Sequence, residues 1–515
     1  MRLAQQTEPF VGPSVDWFAL SPLLVLVGTA LMLLVVGALT PAWPRRAYAA
    51  VTVAAGAGAA ALAMINWDDI TDEGSGTLVG GALAFDRFAM FVTIVLCAAL
   101  ILTALITDDY LEREKLQGPE IYALYLVTIV GGIVMGAAND LIVLFIGLET
   151  LSLALYVLAA SHRRRAGSGE AGIKYFVLGG FSSAFFLYGI ALVYGAIGST
   201  NFSGIGEAIG SAVRFEDNDA LVLAGVALLI VGLGFKIAAA PFHVWTPDVY
   251  QGAPSPVTGF MASAGKVAAF AALLRVLVSA LPYYRQDWRP VVWVLAVASL
   301  IVGSFLAVVQ TDVKRMLAYS SISHAGFMLV GVEAAGHRAG SIDAGLGVSA
   351  TLVYLFAYAV IVIGTFGVVS LVSREGDART DLDSFRGLSR RRPALAVALT
   401  VFLVAQAGVP FTSGFIAKFA VIRAAVEERS YVLAIIAMVT SVVAAFLYLR
   451  IMVSTWIADD PDDEDGDAAA DDRLPIPLST ALAIFAAVAF TIAVGIVPGW
   501  LLDAADVAGQ LSLLR

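Results

Sequence analysis

The sequence is dominated by apolar runs of roughly 20 residues, the length a helix needs to cross the hydrocarbon of a bilayer. Fourteen can be counted, at about 17–38, 47–66, 85–107, 119–137, 139–159, 171–197, 220–248, 254–280, 287–309, 313–333, 345–372, 394–424, 430–457 and 476–501. Only 14% of the 515 residues are charged, against about 25% in an ordinary soluble chain. The short alternating segments of a membrane β-barrel do not appear. The sequence therefore predicts an all-α polytopic membrane protein of about 14 transmembrane helices. Lys and Arg concentrate in the loops after the odd-numbered spans, including Arg163–Arg165, Lys314–Arg315 and Arg390–Arg392. By the positive-inside rule those loops are cytoplasmic and both termini face outward. No basic region precedes the first apolar run, so no removable signal peptide is expected.

Several function classes are excluded. A single cysteine, Cys97, allows no disulfide and no cysteine-ligated cluster. The four histidines are scattered without metal-ligand spacing, and no Gly-rich phosphate loop follows a strand pattern. The chain is expected to hold no cofactor or metal, and nothing in it points to nucleic acid. Much of the net charge of −10 comes from Asp459–Asp472, whose composition reads as a solvated linker.

Four charges lie deep inside the apolar runs: Glu149, Lys236, Lys266 and Lys418. A charge at the centre of a bilayer helix costs about 2.5–3.5 kcal/mol on insertion scales. Four together point to a chain that handles charge within the membrane. A Glu149–Lys236 pair across spans 5 and 7 would hold both charged, and changing their separation would change how tightly the lysine holds its proton. A static buried ion pair is the other reading, although such pairs stabilise poorly. Lys266 lies among Ala262, Ser263, Ala264 and Gly265, far from either interface. Lys418 is deep but nearer the outward end. Lys174, at the start of span 6, reads equally as snorkelling, and Arg275 and Arg450 read as snorkelling outright. His243 suits a relay or a helix cap. His324, among Tyr319, Ser320, Ser321 and Ser323, suits a water chain or helix–helix hydrogen bonding. A sodium site would want carboxylates and carbonyls, and only Glu149 is at hand.

Two spans are interrupted. Span 7 contains Pro241, and span 12 contains Gly408, Pro410 and Gly414. Proline removes a helix hydrogen bond, and in a membrane the freed groups need a polar neighbour. Pro241 and Pro410 are 169 residues apart, and Asp140 and Asp312, each preceding a span, are 172 apart. This offset predicts two five-helix repeats, spans 4–8 and 9–13, inverted because five is odd, with broken helices 7 and 12. The expected divisions are helices 1–3 over 1–110, the first repeat over 119–280, the second over 287–457, an acidic cytoplasmic linker over 458–475, and a last helix over 476–515.

The segment APFHVWTPDVYQGAPSPVTGFMASAGK (240–266) closely resembles the signature of the antiporter-like membrane subunits of respiratory complex I. QTDVKRMLAYSSISHAGF (310–327) and GVPFTSGFIAKF (408–419) resemble spans 10 and 12 of the same family, and the likeness covers roughly 80–455. It implies fourteen helices in inverted repeats and a proton-translocating module of a large membrane arm. It also implies roles for Glu149, Lys236, Lys266 and Lys418 in proton transfer, with Lys174 and His243 as accessory groups. NADH, FMN, iron–sulfur clusters and quinone would belong to other subunits. Partners would be other membrane-arm subunits, including the sibling subunit M, which usually carries glutamate at the position of Lys418, and the lipid of a bacterial plasma membrane. A cation/proton antiporter of the same ancestry, or a module that has lost transport, are the alternatives.

Overall fold

A computed structural model describes residues 15–40, 43–116, 118–210, 219–341, 345–457 and 476–511. The predicted acidic linker lies outside the described residues. Among the described residues, twelve helices are long and apolar enough to cross a membrane, from Ser21–Leu39 to Leu478–Ile496. Two other predicted spans take different forms. The Val313–Gly336 helix has 24 residues but carries Lys314, Arg315 and Glu333. Span 12 is divided into Pro393–Ala407 and Ser413–Glu427, of 15 residues each. At 1.5 Å per residue neither half could cross about 30 Å of hydrocarbon alone.

The bundle is layered by burial. The Ser255–Ala280 helix lies at its centre, with 94% of its most apolar window buried, whereas Tyr431–Trp456 is 39% buried. The outer helix turns Ile435, Met438, Val442 and Phe446 outward, as a lipid-facing or neighbour-facing surface requires. The central helix is not a uniform α-helix. Met261–Gly265 and Arg275–Ala280 are π-helical turns, and Lys266 follows the first directly. Such insertions widen a helix and are frequent at functional sites.

Asp140 and Asp312 are built alike. Each caps the following helix, accepting from the Ile142 N–H at 2.7 Å and from the Arg315 N–H at 2.9 Å; such a cap is worth about 1 kcal/mol. Each accepts from a threonine hydroxyl, Thr200 at 2.7 Å and Thr380 at 2.5 Å. The next N–H then donates to that threonine's carbonyl, Leu141 to Thr200 and Val313 to Thr380. Isolated antiparallel bridges, Asp140 to Asn201 and Asp312 to Asp381, complete the parallel. Each Asp thus fastens a helix start to a strand-like connector some 60–68 residues further on. The only sheet among the described residues is a short hairpin, Gly76–Leu78 against Leu83–Phe85.

Candidate functional site

The first break ends the Asp219–Lys236 helix at Lys236 itself. A cation is favoured there by the partial negative charge of a helix C-terminus. The groups at the break are satisfied locally and from beyond it: the Phe235 carbonyl accepts from the Ala238 N–H and from the Trp245 indole, at 3.1 Å each, and the Ala240 N–H donates to Ser299 Oγ at 2.9 Å. Ala238 adopts a positive φ of 59°, which a residue with a Cβ rarely does. Lys236 is buried, and its Nζ donates to the Tyr156 hydroxyl at 3.0 Å. It lies 4.9, 5.5 and 5.8 Å from the ring centroids of Tyr156, Tyr175 and Phe235. Aromatic faces stabilise a desolvated ammonium without a counter-ion.

The predicted Glu149–Lys236 ion pair does not form. Glu149 is half-buried and accepts from the Ser183 hydroxyl on the neighbouring helix. The reason is register. Tyr156 follows Glu149 by seven residues on the Leu141–Ala159 helix, two turns or about 10 Å along the axis. Lys236 meets the tyrosine hydroxyl instead of the carboxylate.

Lys266 is 2% exposed. Its Nζ donates to the Ser321 carbonyl on the Val313–Gly336 helix and lies 5.6 Å from the Tyr358 ring centroid. The Tyr358 hydroxyl donates to Ser321 Oγ at 2.8 Å. One turn on, His324 is buried with both ring nitrogens engaged, Nδ1 with the Tyr354 hydroxyl at 2.7 Å and Nε2 with the Tyr448 hydroxyl at 3.1 Å. Tyr448 reaches Ser320 Oγ at 2.6 Å, and Ser320 donates to Gln406 Oε1 at 3.4 Å. Gln406 sits at the end of the Pro393–Ala407 half-helix, beside the second break.

At that break the carbonyl of Ala407 has lost its helical donor. Lys418 Nζ replaces it at 2.9 Å and also donates to Ser441 Oγ at 2.8 Å. The Phe327 ring centroid is 4.8 Å from the ammonium. Gly408 turns the chain with φ +87°, and a Cβ there would lie 2.7 Å from Lys418 Cδ. Phe411 mirrors Ala238 with φ 67°.

The remaining predicted residues fall outside this line. Lys174 is partly exposed, between Asp248 and Glu170 at 2.7 Å each. His243 is half-buried, its Nδ1 without a hydrogen-bond partner, beside the exposed Val244. Arg275 does not snorkel: it is buried and grips Asp86 with two bonds of 2.6 Å. Arg450 caps another helix end, donating to the carbonyls of Val308 and Gln310 at 2.8 and 2.7 Å. Sequence reasoning missed the tyrosines. Tyr156, Tyr354, Tyr358 and Tyr448 stand in apolar runs at helical spacing, where an aromatic reads as core, and only their hydroxyls reveal the connection.

From Lys266 to Lys418 the interior thus offers hydroxyls, an imidazole and an amide on facing helices. These are groups that accept and donate protons in turn. Carboxylates are missing from this stretch, which suits protons better than a metal cation.

The sequence profile of the family described as NADH:quinone oxidoreductase/Mrp antiporter, TM, matches residues 138–444. The chain belongs to this family. The matched region spans both breaks and all four buried charges. A relative named NADH-quinone oxidoreductase subunit N, from Mycobacterium tuberculosis, is 43% identical over 97% of this chain and 99% of its own. A chain of respiratory complex I from Thermus thermophilus, solved with bound aureothin, is 32% identical, with a TM-score of 0.75 over 94% of this chain and 98% of that one. A chain of the Mrp complex from Dietzia sp. DQ12-45-1b shares the fold, with a TM-score of 0.81 at 21% identity over 96% and 97%. Family membership and fold therefore agree over nearly the whole chain.

Proposed function

We propose that this chain is the N subunit of a proton-translocating NADH–quinone oxidoreductase and that it moves protons along Glu149, Lys236, Lys266, His324 and Lys418. The observation that carries the reading is two hydrogen-bonded groups, Lys266–Ser321–Tyr358 and His324–Tyr448–Ser320–Gln406, which meet where the Tyr358 and His324 ring centroids lie 4.8 Å apart and lead towards the second break. NADH oxidation and quinone reduction belong to other subunits, which hold the FMN and iron–sulfur clusters. The chain sits in a bacterial plasma membrane beside related subunits such as M, with both termini outside.

The mechanism follows from charge placement. Two ammonium groups in one buried line repel each other. A proton reaching Lys266 therefore favours release from Lys418, and release there makes room for the next. Lys236 supplies the driving end. Its ammonium is held by rings and one hydroxyl, so a change in the charge near Glu149 acts on it with little to oppose the change. The tyrosine hydroxyls and His324 bridge the gaps with water between them. The paired Asp140 and Asp312 fasteners support two repeats over 119–280 and 287–457, each presenting one broken helix.

Replacing Lys236 with alanine in the intact complex should cut proton pumping and coupled quinone reduction. Unchanged pumping would refute the path. Copurification of the tagged chain with an NADH-oxidising assembly is the companion measurement; isolation with other membrane subunits alone, and sodium-dependent flux, would favour a cation/proton antiporter.

A further inference from the structure

A second buried charge cluster lies outside the line just described. Asp377, in the connector after the Gly345–Val372 helix, and Lys314, at the start of the Val313–Gly336 helix, have side chains 0% exposed and 3.4 Å apart. The carboxylate also accepts from the Ser255 N–H and hydroxyl at 2.9 Å each, the Ser373 hydroxyl at 2.8 Å and the Arg165 guanidinium at 3.3 Å. Lys314 donates in addition to the Ala253 carbonyl at 2.5 Å. The sequence groups Lys314 with the solvated loop cations, but the structure buries it completely.

Two cations, Lys314 and Arg165, face Asp377, and the Asp312 carboxylate is the next charge felt by Lys314. With Lys314 neutral, Arg165 and Asp377 remain a balanced pair. The Arg165 guanidinium does not give up its proton, so the proton on Lys314 is the one the cluster can release. The other charged or titratable groups facing it are Asp312, already capping its helix, and Tyr110 and Glu114. Glu114 is occupied by His162 at 3.1 Å, the Gly376 N–H at 2.7 Å and the Arg113 guanidinium at 3.7 Å.

The cluster stands between solvent and Lys266. On one side, Arg165 lines an open pocket of about 380 Å³ with Glu170, Lys174, Asp248, Gln251 and Arg315. On the other, Ser321 follows Lys314 by seven residues, on the same helix face and about 10 Å away. The Tyr250 hydroxyl flanks that interval, 3.5 Å from Ser321 Oγ, and the Ser321 carbonyl receives Lys266.

We propose that Lys314 is a further proton-carrying residue, loading Lys266 from the pocket with Asp377 and Arg165 as its fixed partners. The inference rests on the proton-path reading above. In the step, an N–H bond of the Lys314 ammonium breaks and its proton passes through water to the neutral amine of Lys266. Lys314 remains as an amine beside the Asp377–Arg165 pair and takes a proton back from pocket water. Nothing is oxidised or reduced. Asp377 stays a carboxylate throughout. Burial pushes its carboxyl up, but Lys314, the Ser373 and Ser255 hydroxyls and Arg165 outweigh this and hold it below the usual range.

The test uses the whole complex in proteoliposomes. Lys314→Arg keeps a cation on Asp377 that cannot give up its proton. An assembled Lys314→Arg complex should pump about 100-fold slower or worse, the scale of a lost acid–base group. Parent-level pumping would overturn the proposal and leave the pair merely structural. If arginine prevents assembly, Asp377→Asn serves: without the carboxylate charge, the alkaline limb of the pumping rate should move to lower pH by about one unit or more. An unmoved limb would overturn the proposal as well. Lys266→Met separates the two claims. Pumping lost there but normal in Lys314→Arg defeats this inference alone, whereas normal pumping in Lys266→Met defeats the path on which it rests.

Discussion

The two helix breaks solve the same problem differently. At the first, the Phe235 carbonyl is satisfied by the Ala238 N–H and the Trp245 indole, and Lys236 is left to three aromatic rings and one tyrosine hydroxyl. At the second, Lys418 is itself the donor that the Ala407 carbonyl lost. The first lysine is therefore free to answer a charge change near Glu149 without disturbing the backbone, while the second is part of the backbone's repair. One break suits reception of a signal, and the other suits a fixed terminus of the path.

That contrast can be broken experimentally. The largest effect is expected from Lys418→Met, which removes the proposed carrier and leaves the Ala407 carbonyl with only the long 3.4 Å bond from Ser441 Oγ. Pumping should fall by about 100-fold or more, and the assembled complex should also lose roughly 1–3 kcal/mol of stability, read as a lower melting temperature. Lys236→Met should match it in lost pumping but barely move the melting temperature. Equal destabilisation of the two would erase the distinction. Tyr156→Phe removes the hydroxyl that holds Lys236. A hydrogen bond to a charged group is worth about 1.5–3 kcal/mol, so turnover in the quinone assay should drop about tenfold. Gly179→Ala sharpens the same point more gently: an added Cβ would overlap the Tyr156 hydroxyl, and a loss of about threefold is expected if the ring yields only in part. Ser441→Ala should do least, below about twofold, since Lys418 keeps the Ala407 carbonyl; a larger loss would mean that the serine, not the carbonyl, sets the lysine's position.

Much of this architecture is legible in the amino-acid order, for physical reasons. Apolar runs of bilayer length can only be helices when no water is available to the backbone, so the spans are visible. Pro241 and Gly408 mark the breaks because each acts on the local backbone. What the sequence hides is pairing between distant elements. Arg275 reads as a snorkelling cation because its partner Asp86 is 189 residues away. Lys314 reads as a loop charge because a lysine at a helix start is usually solvated, and its partner Asp377 is 63 residues away. Glu149 and Lys236 read as a pair because both stand deep in apolar runs and are opposite in sign, yet each meets a hydroxyl instead, Ser183 and Tyr156. His324 offers no sign in sequence that both its nitrogens meet tyrosines from two other helices.

The central claim is that the two breaks are joined in one line through His324. The most direct measurement is the number of protons translocated per NADH oxidised by proteoliposomes carrying His324→Phe, which keeps a ring and removes the nitrogens. The account predicts a ratio as low as that of the Lys418→Met complex. A ratio equal to the parent's, with Lys418→Met deficient, would show that protons reach Lys418 without passing His324, and would contradict it.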